Sequence, residues 1–108
     1  MRPRHHYVAG LRRYVLAAAA QARVFYRHAG RGISFQVWHC GSLDHDQVHG
    51  CTYTTMTPQV AWLIDQRLAR IERGYRMGRG EVALTPSGWE EVARLVAGFW
   101  EALAGARW

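Results

Sequence analysis

The sequence predicts an α+β domain, mostly helical, with three main helices and one or two small β-hairpins. Two stretches with apolar residues at helical spacing each begin at a Thr-Pro pair, Thr57-Pro58 and Thr85-Pro86. An alanine-rich stretch near the N-terminus repeats that period. Between the helices lie short runs of β-branched and aromatic residues, punctuated by glycine. The 108 residues fit one domain. A chain of this size buries roughly two-thirds of its unfolded surface, enough for a core. The 49% hydrophobic content argues against disorder. No apolar run reaches the ~18 residues of a membrane span.

Residues 1–6, Met-Arg-Pro-Arg-His-His, read as a basic N-terminal arm, and 7–108 as the domain. From about Tyr7 to Ala29 the spacing predicts the first helix. Leu11, Tyr14, Val15, Ala18, Ala22, Phe25 and Tyr26 share its apolar face, with Arg12, Arg23 and Arg27 opposite. Gly30-Arg31-Gly32 supplies the stop, because glycine accepts the left-handed cap. Ile33–Cys40 alternates apolar and polar residues for most of its length and predicts a strand. Gly41–Gly50 is polar and His-rich: Ser42 caps a short helix through Val48, or the stretch is a loop. Cys51–Met56 has strand propensity and either pairs with Ile33–Cys40 as a hairpin or forms an extended turn.

At Thr57-Pro58, threonine is expected to cap the free amides and proline suits the first turn. The helix is expected to reach Arg73, before Gly74. Val60, Leu63, Ile64, Leu68 and Ile71 form its apolar face; Gln59, Trp62, Gln66, Arg70 and Arg73 form the opposite stripe. Arg67 falls inside the apolar arc, where it must snorkel or meet an acid. Tyr75-Arg76 and Glu81–Leu84 are short strand candidates around the turn Met77–Gly80. After Thr85-Pro86, Trp89, Val92, Ala93, Val96, Phe99, Trp100 and Leu103 line one face of the last helix.

All 14 basic residues are arginine, which fits a GC-rich coding sequence, but the net charge of +6 is an excess over eight acids. It favours an anionic partner such as nucleic acid and disfavours an acidic mimic of one. Two cysteines do not make a disulfide-dense secreted framework. Tyr14–Ala20 after Arg12-Arg13 resembles a leader, but the run is short and Arg23 and Arg27 follow. A cytoplasmic, membrane-free protein is the expectation.

Leu68-Ala-Arg-Ile-Glu-Arg-Gly-Tyr75 followed by Glu81-Val-Ala-Leu-Thr-Pro-Ser-Gly88 resembles the C-terminal half of a winged helix-turn-helix DNA-binding domain, over about residues 57–103. The resemblance implies a recognition helix at 57–73, a wing at 75–84 and a last helix that packs on the first or builds a dimer. It departs from that family where a compact second helix and a tight turn are expected: Leu43–Val48 is short and Asp/His-rich, Cys51–Met56 looks extended, and a hairpin over Ile33–Met56 would leave no helix-turn-helix. On the winged-helix reading Thr55, Thr57, Gln59 and Trp62 lie nearest the bases, and Gln66 on the same stripe joins the DNA-binding set. Arg70 and Arg73 lie nearer phosphate, Arg76 and Arg79 grip from the wing, and Arg2 and Arg4 add a minor-groove arm. Trp62 is either an exposed anchor or covered by another element.

Cys40, His45, His49 and Cys51 supply two thiolates and two imidazoles, enough donors for tetrahedral zinc, at a spacing unlike a zinc finger. A Cys/His nucleophile is the catalytic alternative, without a local motif. A polar surface loop with no metal, no cofactor and no enzyme activity is the preferred reading. Two functions follow: a DNA-binding regulator dimerising through its first and last helices, or a phage- or mobile-element-type module that binds a protein through exposed aromatics.

Overall fold

The computed structural model describes residues 2–40, 51–72 and 79–105. Among them, three helices and five strands run in the order α1 (Arg2–Ala20), β1 (Val24–Ala29), β2 (Gly32–Trp38), β3 (Tyr53–Thr55), α2 (Thr57–Asp65), β4 (Ala69–Ile71), β5 (Gly80–Leu84) and α3 (Pro86–Gly105). The strands form one sheet in the order β3-β2-β1-β5-β4, with every neighbour antiparallel. The chain is α+β, as the sequence predicts, but the sheet is larger than one or two small hairpins.

The first helix is shorter at its end and longer at its start than its spacing predicts. Residues 2–6, expected as an arm, belong to α1. The helix closes by a glycine-type cap built on Ala22, whose φ is 58°. Arg23 N–H donates to the Ala18 carbonyl at 2.9 Å and Ala22 N–H to Ala19 at 3.1 Å, satisfying carbonyls that the helix end leaves open. Phe25 and Tyr26, placed on the helical face by their spacing, therefore lie in β1. Gly30 does not cap a helix but turns the β1–β2 hairpin, where Ala29 pairs with Gly32 and φ of Gly30 is 61°.

The same closure ends α2 early. Leu68 N–H donates to Leu63 at 2.9 Å and Arg67 N–H to Ile64 at 3.0 Å, with Arg67 at φ 60°. The expected helix to Arg73 thus stops at Asp65, and Ala69, Arg70 and Ile71 become β4 against β5. Arg67 is exposed, so its place in the apolar arc disappears with the helix.

The core lies between the sheet and the helices. Val15, Leu16, Ala18 and Ala19 of α1 and Val60 and Leu63 of α2 meet Val24, Tyr26, Phe35, Val37, Val82 and Leu84 from one sheet face. The register alternates, so Phe25, Gln36 and Trp38 fall on the other face, yet each is 3% exposed or less. There Phe25 stacks on Trp38 with ring centres 4.5 Å apart, and Tyr53 meets both edge-on.

The two Thr-Pro pairs do different work. Thr85 caps α3, its Oγ1 accepting from Gly88 N–H at 3.1 Å and donating to the Arg67 carbonyl at 2.6 Å. Thr57 does not cap α2; its Oγ1 accepts from Phe35 N–H at 3.0 Å and pins the helix start to β2.

Candidate interaction surfaces

The residues expected to read DNA do not converge. Trp62 is half-buried under the Arg12 guanidinium of α1, 4.2 Å from the ring centre, so it is covered and Gln59 beside it is half-buried. The exposed side of α2 is Pro58, Ala61 and Asp65, which carries no cation. The element directly before α2 is β3, where a helix-turn-helix has its second helix. Gln66 is exposed at the end of α2, and Thr55 is exposed on the β3 edge strand.

The arginines collect instead on the sheet face turned away from α1 and α2. Arg27 of β1 lies over Tyr53 at 5.2 Å, and Arg79 lies over Trp38 at 5.1 Å. The β1–β5 pairs Phe25–Glu81 and Tyr26–Gly80, continued by one step, bring Arg79 opposite Arg27. Arg70 is exposed on β4 and pairs with Glu72 at 2.9 Å. Arg31 is exposed at the hairpin tip. Glu81 shares this face, so the patch is basic but mixed. Arg2 and Arg4 lie in α1, and Arg73 and Arg76 lie outside the described residues.

Of the four zinc candidates, His45 and His49 lie outside the described residues. Cys40 and Cys51 are close, their sulfurs 2.8 Å apart. Among the described residues no group of three or more His, Cys, Asp or Glu is placed to hold a metal. His39, beside Cys40, has both ring nitrogens at threonine hydroxyls, Nδ1 with Thr52 and Nε2 with Thr54, so it ties β2 to β3.

Among the described residues, the longest run of exposed large apolar side chains is on α3. Gly88 is buried and Val92 half-buried at its base, where Glu91 and Leu95 meet Arg12, Arg13 and Trp62 across a groove of about 350 Å³. Beyond it the helix leaves the core. Val96 is 49% exposed, Phe99 59% and Trp100 62%, and Trp89 stands 51% exposed at the helix start. Trp89, Val92, Val96, Phe99 and Leu103 are spaced three, four, three and four residues apart, the repeat of a helix-pairing seam. Leu95, Ala102, Ala93 and Trp100 flank this seam, where charges usually stand. The polar side carries Glu90, Glu91, Arg94 and Glu101, with Glu91 and Arg94 paired at 3.0 Å.

The sequence pattern identified the α3 stripe; that the body covers it at Val92 and leaves Val96, Phe99 and Trp100 exposed is visible in the tertiary structure alone. No family model, curated protein or solved structure matches the chain.

Proposed function

We propose that this chain is a self-associating interaction module whose two copies pair through the apolar face of α3. The carrying observation is that a helix-pairing repeat of large apolar side chains, half-buried at Val92, presents Trp89, Val96, Phe99 and Leu103 to solvent with Trp100 beside them. Covering those side chains on two copies buries roughly 1,200 Å², the lower bound of a standard specific interface. An antiparallel two-fold suits the sizes. It sets Val96 against its own copy and brings Phe99 to Ala93 and Trp100 to Val92, whereas a parallel pair stacks Trp89 on Trp89. A lipid surface is a poorer occupant, because three of the four charges on α3 are acidic and repel anionic headgroups. Sedimentation of the full chain over a wide concentration range tests the reading. A dimer that dissociates on dilution supports it; a monomer at high micromolar concentration overturns it.

The arginine-bearing sheet face favours a second reading, a DNA-binding regulator in which the same dimer presents two basic patches. This keeps the partner expected from the charge and from the winged-helix resemblance, but moves the contact from α2 to Arg27, Arg31, Arg70 and Arg79. Phosphate is the chemistry these cations fit, since none of the described exposed residues beside them offers a paired base-reading donor and acceptor on a helix. Titration with duplex DNA at stepped salt tests it, and no binding at low salt ends it.

A further inference from the structure

We propose that Cys40 and Cys51 are a modification site: they close into a cross-strand disulfide at the end of the β2–β3 ladder where residues 41–50 connect the two strands. Gln36–Thr55, Val37–Thr54 and Trp38–Tyr53 are partners, so two further steps set Cys40 directly opposite Cys51. The backbone bonds Met56 N–H to Phe35 C=O at 2.8 Å and His39 N–H to Thr52 C=O at 2.9 Å mark alternate hydrogen-bonded pairs. Cys40 and Cys51 fall at the next, non-hydrogen-bonded position. Such pairs hold their Cα atoms about 4.5 Å apart with side chains on the same face, inside the range a disulfide spans. The sulfurs already lie 2.8 Å apart, and both residues are half-exposed, within reach of an oxidant.

The bond needs a two-electron oxidant, and a low-molecular-weight disulfide such as oxidised glutathione supplies it. The thiolate of one cysteine attacks a glutathione sulfur, forming a mixed disulfide and releasing one glutathione thiolate. The second cysteine, deprotonated, attacks the protein sulfur of that mixed disulfide and releases the second. The protein loses two hydrogens and two glutathiones are reduced. The product ties the ends of the ten-residue segment between the cysteines and braces Trp38 and Tyr53 two positions away. The site is remote in sequence from α3, and its test does not depend on self-association.

Incubation of the reduced full chain with oxidised glutathione, followed by intact mass and thiol titration under denaturing conditions, tests the proposal. The expected product is a monomeric chain lighter by two hydrogens, with no titratable thiol and a Tm raised by about 5–15 °C over the reduced form. Cys40→Ser and Cys51→Ser each carry a single glutathione adduct and show no such Tm rise. A chain that ends with two glutathione adducts, or that links only between chains, overturns the proposal. So does reduced protein purified with one equivalent of zinc that shields both thiols, which returns the pair to the metal reading. If a serine variant is unstable, the redox shift of the unsubstituted chain decides alone.

Discussion

Ala22 and Arg67 decide where two helices stop, and neither carries the residue that marks a stop. Each occupies the left-handed region that costs a side chain about 1–2 kcal/mol, and each closes the same pair of backbone bonds. Arg67→Gly is therefore expected to stabilise the fold by about 0.5–1 kcal/mol, read as a higher denaturant midpoint at unchanged slope. An unchanged or lowered midpoint contradicts the account. Gly88 is the converse case. A Cβ there collides with the Leu68 carbonyl, which itself accepts from Thr85 N–H at 3.1 Å. Gly88→Ala should cost about 1–3 kcal/mol, because the backbone of α3 cannot withdraw without breaking its cap. A thermal melt within error of the parent rules this out.

Among the elements, α3 holds the functional argument. Its first turns are anchored by Thr85, Gly88 and Val92, while its outer turns present Val96, Phe99 and Trp100 to solvent. Val96→Glu puts a charge at the centre of the proposed seam. The dimer dissociation constant should rise at least about 100-fold, roughly 2.7 kcal/mol, while the Tm of the monomer stays put because the position is exposed. Sedimentation of the variant as the parent dimer excludes α3 as the interface. The split of the expected first helix into α1 and β1 is also decided at this scale. Phe25 and Tyr26 satisfy a helical wheel, but as β1 they occupy opposite faces of the sheet: Tyr26 joins the core and Phe25 stacks on Trp38.

For the whole molecule, the charge of +6 is unevenly distributed. Residues 86–105 hold three acids against Arg94, so the remainder of the chain carries the cationic excess. If the sheet face grips phosphate, the double variant Arg27→Gln with Arg70→Gln should weaken duplex binding for every sequence and flatten the log–log salt slope by about 2, one counterion per lost contact. Equal slopes for parent and variant place the contact elsewhere. Among the described residues no helix is long and apolar enough to cross a membrane.

Composition and periodicity by themselves determined the α+β class, β2, the starts of α2 and α3, and the apolar stripe of α3; for 51–56 they left a hairpin with 33–40 and an extended turn both open, and the tertiary pairing chose the first. These are local properties: alternation, 3.6-residue spacing and proline after threonine act within a few residues. The tertiary structure decided the helix ends at Ala22 and Arg67, because the backbone strain there is offset by packing that places β1 and β4 in the sheet. It also decided that Trp62 lies under Arg12, that Thr57 serves β2, and that Cys40 faces Cys51 across a ladder. Each joins residues distant in the chain, and no local pattern encodes which distant partner arrives.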